Sequence, residues 1–145
     1  MRTIRFCTLV LGVAFLGAAA PEPQKPAVDP GFSIAKYVNT FAQDRSEKTV
    51  GGYQFWFVDK NLAGGETLKL AVVAPHLANH PPHHHPEDEF FLVLEGQAEF
   101  FLGGQRVVAG PSTSLYCPPN VEHGIRNVGD TELKYLVIKK YEASK

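Results

Sequence analysis

The sequence predicts an all-β domain of antiparallel strands, arranged as a sandwich or barrel. Its 145 residues suffice for one domain, and 13 glycines and 11 prolines are many for a helical bundle. Short runs rich in β-branched and aromatic residues alternate with turn signals such as Gly64-Gly65 and Pro118-Pro119-Asn120. No stretch of about eleven residues carries a convincing helical stripe. Only residues 33–42 are compatible with a short helix.

The first twenty residues have the features of a secretory signal peptide. Arg2 and Arg5 precede an apolar run at 6–16, which is shorter than the roughly twenty residues of a membrane-spanning helix. Small residues follow at 17–20, so we expect cleavage after Ala19 or Ala20. This interpretation makes the protein secreted or periplasmic, with no membrane span in its mature form.

The remaining chain divides into a linker and one domain. Residues 21–31 are rich in proline and predict an extended linker, and 32–145 form the β domain. Gly103-Gly104 predicts a two-residue hairpin, because both glycines can adopt a positive φ. Nine runs are candidate strands: 32–38, 53–58, 66–74, 89–95, 97–102, 105–109, 113–117, 123–128 and 132–141.

Charge and cysteine content exclude several classes of protein. Lys plus Arg is 14 and Asp plus Glu is 15, and removal of Arg2 and Arg5 leaves 12 against 15, a net charge of −3. This balance argues against a nucleic-acid partner, since such proteins carry a basic stripe. The mature chain would keep one cysteine, Cys117, which excludes an internal disulfide and is interpreted as a buried, inert thiol.

Histidines are concentrated in one segment of the chain. The sequence has six, of which five lie between 76 and 85. His83 and His85 share a strand face, and Glu89 follows with the same parity after a Pro-Glu-Asp turn. His123 begins a later strand. Imidazoles with one carboxylate suit a first-row divalent metal and need no thiolate.

At these residues the sequence resembles the cupin family. His83-x-His85, three residues, Glu89, six residues and Gly96 match its first motif, G(X)5HXH(X)3,4E(X)6G. Pro118-x-Asn120, two residues, His123, three residues and Asn127 match the second, G(X)5PXG(X)2H(X)3N. The resemblance covers roughly 66–140. It implies a jelly-roll barrel, or double-stranded β-helix, with one divalent transition metal held by His83, His85, Glu89 and His123.

Three glycine positions of the motifs are occupied by other residues. Leu77 and Ser112 stand where the motifs open, and Asn120 replaces the glycine of PxG. Asparagine tolerates the left-handed conformation that such a turn needs. These are turn positions, so the departures concern loop geometry and leave the ligand assignment unchanged.

The residues around the ligand set have less specific interpretations. His76, His80 and His84 favour a surface role. Arg126 alternates away from His123, and Arg106 lies in a hairpin arm. No lysine or arginine therefore predicts a carboxylate clamp. We expect an apolar pocket for a small molecule, and its candidate lining residues are Phe91, Val93, Phe101 and Ile125.

The run 53–58 is continuously apolar, and an exposed strand of this kind would promote aggregation. We therefore expect it to be covered on both faces and to form the contact of a homodimer.

Two classes of function fit these patterns. The resemblance implies a metal-dependent enzyme using Fe, Mn, Ni, Cu or Zn, of dioxygenase type as in quercetinase. Its substrate would be small and aromatic or enol-like, and Glu89 could act as a base. The alternative is a non-enzymatic periplasmic module that binds a small molecule or a metal.

Overall fold

The structure is a computed structural model that describes residues 30–142. The signal peptide predicted at 1–20 and nearly all of the linker at 21–31 lie outside these residues and stay predictions. Residues 30–32 group with the preceding segment, and the account below concerns the chain from Ser33 onward. Among the residues described, no helix has the length and apolar character needed to cross a membrane.

Within residues 30–142, nine antiparallel strands form two sheets. Six strands pair in the order β1-β2-β3-β9-β4-β7 and three in the order β6-β5-β8. The all-β antiparallel prediction is therefore confirmed. The strands are β1 Glu47–Lys48, β2 Gly52–Ala63, β3 Glu66–Val73, β4 Glu89–Glu95, β5 Ala98–Leu102, β6 Gln105–Ala109, β7 Ser114–Cys117, β8 His123–Asn127 and β9 Leu133–Lys140.

Eight of the nine candidate runs form strands, and the run 32–38 does not. This segment contains a 3-10 helix at Ile34–Lys36, and a second 3-10 helix follows at Gln43–Arg45. Lys36 N–H donates to Ser33 O, and Val38 N–H donates to Ile34 O. The strand prediction was wrong, because β-propensity alone does not determine the backbone conformation and local turn hydrogen bonds formed here instead. The short helix considered for 33–42 is reduced to one 3-10 turn.

The core lies between the inner faces of the two sheets. In β4, β9 and β3 the odd-numbered residues point inward, which buries Phe91, Val93, Tyr135 and Val137 against Ile125 of the small sheet. The alternation follows from the period of two in a strand. Burial of these apolar side chains holds the sheets together and encloses the positions from which Glu89 and His123 point inward.

The turns at Gly103-Gly104 and at Asn120 have the positive φ angles that the sequence predicts. Gly103 and Gly104 have φ values of 53° and 84°, as expected for the hairpin between β5 and β6. Asn120 has φ 60° and Ser112 has φ 63°. These two residues adopt the left-handed conformation of the glycines they replace in the motif, so the departures from the pattern preserve its backbone.

The run 53–58 lies within β2, which is longer than predicted and extends to Ala63. Only Phe55 is buried in this run, under the ring of Phe41 and the guanidinium of Arg45. The other five residues are half-buried. Within this chain, the expected cover on both faces is therefore only partial.

Candidate metal centre

Four side chains of the predicted ligand set converge in the structure. One donor atom from each of His83, His85, Glu89 and His123 lies within 4.8 Å of the others. Glu89 begins β4 of the large sheet and His123 begins β8 of the small sheet, so the cluster joins the two sheets. It could hold one metal ion.

Backbone pairing explains why the histidines meet. His83 and His123 form an isolated antiparallel bridge, in which His83 N–H donates to His123 O at 3.0 Å and His123 N–H donates to His83 O at 2.9 Å. Paired residues present their side chains on the same face. His85 is fixed from the other side, because Asn120 N–H donates to its carbonyl at 2.8 Å. The turn at 118–120 thus positions a histidine that lies far away in sequence.

The hydrogen bonds of two imidazoles define which nitrogen faces the centre. Nδ1–H of His123 donates to Val121 O at 2.8 Å, and Nδ1–H of His85 donates to Glu87 O at 2.9 Å. A carbonyl oxygen only accepts, so each neutral ring leaves Nε2 without a proton. These Nε2 atoms lie 3.0 Å and 3.4 Å from Oε2 of Glu89. Each neutral ring therefore directs a lone pair toward the carboxylate, which is the arrangement of ligands around a shared cation.

His83 completes the set as a neutral ring. Burial lowers its pKa, and the neighbouring His80 and His123 lower it further. Its Nδ1 is buried without a hydrogen-bond partner among the described residues. A metal ligand must be unprotonated, so the lowered pKa of His83 suits it to bind a cation at neutral pH.

The donor set fits a divalent transition ion. Three imidazoles and one carboxylate bring one negative charge, and this mixture of nitrogen and oxygen suits Fe, Mn, Ni, Cu or Zn without selecting among them. Cys117 pairs with Glu89 across β4 and β7, but burial and the nearby carboxylate raise its pKa to about 12. The thiol is therefore protonated and does not compete as a ligand.

Other predicted residues are placed differently around this cluster. His76 is exposed against Asp130, and His84 is exposed. His80 is also exposed, but its ring lies 4.5 Å from the His83 ring and so reaches the rim of the cluster.

Three of the four predicted pocket residues lie in the core. Phe91, Val93 and Ile125 are buried between the sheets, and the Phe91 ring is 6.2 Å from that of His123. The prediction that Phe101 lines the pocket was wrong. Phe100 is the inward residue of β5, and Phe101 lies on the opposite face against Arg106. There Phe101 lines a groove of about 690 Å³ outside the barrel, with His80, Arg106 and Arg126. The run Phe100-Phe101-Leu102 is apolar on both faces, so alternation alone did not select the inward residue.

Two inward lysines were missed by the sequence analysis. Lys139 of β9 is the cross-strand partner of Glu89, and Lys69 of β3 is two residues from buried Ala71 on the same face. The signal was present, because both lysines share parity with core residues of their own strands. The expectation that no basic residue points inward was therefore wrong.

Comparison with known proteins supports the same family as the motifs. Residues 69–139 match the family described as the cupin domain. The barrel is similar to a cupin domain over these residues. A cupin 2 conserved barrel domain protein from Salinispora arenicola superposes with a TM-score of 0.54 at 21% identity, covering 61% of this chain and 75% of that one. A predicted oxalate decarboxylase from Thermotoga maritima gives a TM-score of 0.57 at 20% identity, covering 61% of this chain and 78% of that one.

One curated relative is more similar in sequence. H2HPP isomerase of Bacillus subtilis is 33% identical over 84 residues, which cover 57% of this chain. The match spans 35% of the isomerase. These comparisons establish the cupin fold of the barrel, which is the jelly roll that the motifs implied.

Proposed function

We propose that this cupin is a divalent-metal enzyme whose substrate binds at the His83, His85, Glu89 and His123 cluster. The observation that carries this proposal is the orientation of His85 and His123. Both rings commit Nδ1–H to a backbone carbonyl and direct Nε2 at Glu89. Second hydrogen bonds of this kind fix the tautomer of metal-binding histidines.

The chemistry proposed is oxygen-dependent attack on a small aromatic or enol-type substrate. A bound divalent ion would act as a Lewis acid for an oxygen donor of the substrate. Phe91 excludes water beside the cluster, because it is 2% exposed and its ring lies 6.2 Å from that of His123. Glu89 is the candidate base, since its carboxylate lies 3.0 Å from Nε2 of His123 and 3.4 Å from Nε2 of His85.

The test is oxygen consumption by protein loaded separately with iron, manganese, nickel or copper. Flavonols and β-diketones are the substrates to offer. Oxygen uptake that depends on metal and disappears in His123→Ala supports the dioxygenase. Absence of uptake with every loaded metal contradicts it.

A second candidate is metal-assisted isomerisation without oxygen. It is favoured by the 33% identity to H2HPP isomerase, although the match covers only 35% of that protein. In the same assays, conversion of an enol or keto acid under argon distinguishes isomerisation from oxidation.

The alternative of a non-enzymatic binding module makes a different prediction about the coordination sphere. An enzyme keeps positions open to water or substrate, whereas a storage or structural site is closed. Water proton relaxation of the Mn(II)-loaded protein measures exchangeable water on the ion. Exchangeable water supports the enzyme, and its absence supports the closed site.

Secretion and dimerisation complete the proposal. Mass spectrometry of the exported protein tests cleavage after Ala19 or Ala20.

The dimer is proposed through the 53–58 strand, because β1 pairs only with Tyr53 and Gln54 on that edge of β2. Phe90, Tyr116 and Ile138 also leave apolar surface exposed on the large sheet. A monomer mass by light scattering at micromolar concentration would overturn the dimer.

A further inference from the structure

Lys69 is a cation inside the barrel. It lies on β3 in the inward row of Ala71 and Val73, and its cross-strand partners are Val137 and Trp56. Val137 is 5% exposed, and Lys69 itself is half-buried. Lys69 is therefore a half-buried lysine on the inward face of the large sheet, beside the Trp56 ring.

This ammonium lacks a counter-ion. None of the ion pairs among residues 30–142 includes Lys69. Its Nζ lies instead 4.9 Å from the ring centroid of Trp56. The neighbouring Lys139 differs, since its Nζ pairs with Oε2 of Glu87 at 3.4 Å. Charges withdrawn from water are ordinarily paired, so a half-buried lysine with no ion pair among the described residues is a candidate site for an anionic ligand.

The carboxylate of Glu47, near Lys69 but outside the ligand set, already accepts two hydrogen bonds. Glu47 Oε2 accepts hydrogen bonds from Gln54 Nε2 at 2.7 Å and from Trp56 Nε1 at 3.2 Å. These bonds hold the indole beside Lys69 and leave the ammonium without a direct acid partner. Burial lowers the pKa of Lys69, while the field of Glu89 opposes the shift.

The distance from Lys69 to the ligand cluster fits a small molecule. Lys139 of β9 pairs with Glu89 of β4 on one side and with Thr67 of β3 on the other. Glu89 and Thr67 are therefore separated by two inter-strand spacings. Lys69 is a further two residues along β3 from Thr67. Strand geometry makes this about 10 Å across and about 7 Å along, or about 12 Å between the Cα atoms of Glu89 and Lys69. Both residues lie in the inward rows of their strands, so a molecule of a few atoms in length would reach from one to the other.

We propose that Lys69 binds the carboxylate of a small organic acid whose other oxygen donor lies at the metal centre. This inference rests on the proposed function and narrows its substrate class to anions. The charges agree, because a divalent ion with three neutral imidazoles and one carboxylate is net positive, and Lys69 adds a second positive charge. The face of Trp56 offers a flat apolar wall to the rest of the molecule.

The experiment uses the full chain and the fluorescence of Trp56, which is the sole tryptophan in the sequence. Malonate and succinate are the anionic probes, and acetylacetone is the uncharged probe. In metal-loaded protein, Lys69→Met should weaken binding of at least one of the two acids about tenfold or more, because a charged hydrogen bond is lost. Acetylacetone binding should change less than about twofold. Lys69→Arg should retain most of the affinity for the acid.

Lys140→Met is the matched control. Lys140 is exposed and neighbours Lys139 in sequence, so its substitution removes the same charge from the surface. Its affinity for the acids should stay within about twofold of the original chain. Thermal melting without anions checks the fold, and Lys69→Met should melt no lower because an unpaired buried charge is removed.

Failure of this inference is separable from failure of the proposed function. If metal binds with normal affinity and Lys69→Met binds the acids as tightly as the original chain, the role of Lys69 is overturned. The same holds if neither acid binds the metal-loaded original chain. If no metal binds, the proposed function fails, and titration of the metal-free chain still tests whether Lys69 holds an anion.

Discussion

Replacement of Glu89 by glutamine should have opposite effects on the metal-free and metal-loaded protein. In the metal-free state, Oε2 of Glu89 faces Nε2 of His123 at 3.0 Å and Nε2 of His85 at 3.4 Å. A neutral ring at either position presents an unprotonated Nε2 to this carboxylate, so acceptors face acceptors. The amide of Glu89→Gln offers two N–H donors to these nitrogens. We expect the free energy of unfolding to rise by about 1 kcal/mol, the value of one net hydrogen bond.

Bound metal should make the original chain more stable than Glu89→Gln, which reverses the order expected without metal. At a metal concentration of about 100 times Kd, the original chain should gain about 2.7 kcal/mol. For a domain of this size, that gain corresponds to an increase in Tm of roughly 10 °C. Loss of the only anionic ligand should raise Kd about 100-fold, since even outer partners of metal ligands contribute 10- to 100-fold. The variant then gains only about 0.4 kcal/mol at the same metal concentration.

Thermal unfolding at pH 8, with chelator or with Mn(II), Ni(II) or Zn(II), measures both effects. Glu122→Gln is the control, because Glu122 is exposed beside His123 and loses the same charge. It should melt like the original chain in both conditions. The reasoning is refuted if Glu89→Gln destabilises the metal-free protein by several kcal/mol while metals stabilise both chains equally.

Three further outcomes follow from turn strain, thiol burial and one ion-pair network. Ser112→Gly should raise the free energy of unfolding by about 0.5–1 kcal/mol, because φ is 63° at this serine, and Asn120→Gly should gain less in the same urea titration. In a Cys7→Ser chain, iodoacetamide should label Cys117 only at the rate of unfolding, since burial raises the pKa of Cys117 to about 12, and rapid labelling of folded protein at pH 8 would contradict this. The Arg126 guanidinium lowers the pKa of Glu99, and burial opposes the shift while Arg106 reinforces it. A lowered folded pKa stabilises the fold above the unfolded value, and the contribution is lost as pH falls through the folded pKa. The free energy of unfolding should therefore decrease less in Arg126→Met than in the original chain as pH falls from 6 to 3. Urea unfolding at each pH measures this difference.

The strands were predictable where a local pattern and a turn signal coincided. The run 89–95 matches β4 and the run 105–109 matches β6, because glycine turns bound each of them on at least one side. The segment 32–38 has comparable β-propensity, yet Ile34–Lys36 form a 3-10 helix closed by local hydrogen bonds. Strand formation depends on a partner, and the identity of partners is not local information.

The sequence by itself determined the donor set of the candidate centre. Parity within one short segment aligned His83, His85 and Glu89, and motif spacing added His123. The tertiary structure decided what surrounds these donors, because sheet register brings distant strands together. Register placed Lys139 opposite Glu89 and selected Phe100 over Phe101 as the inward residue. Long-range backbone pairing also set the direction of each imidazole, through the bridge between His83 and His123 and the turn that holds His85. Alternation along a strand shows which residues share a face, whereas only packing between sheets shows which face is inside.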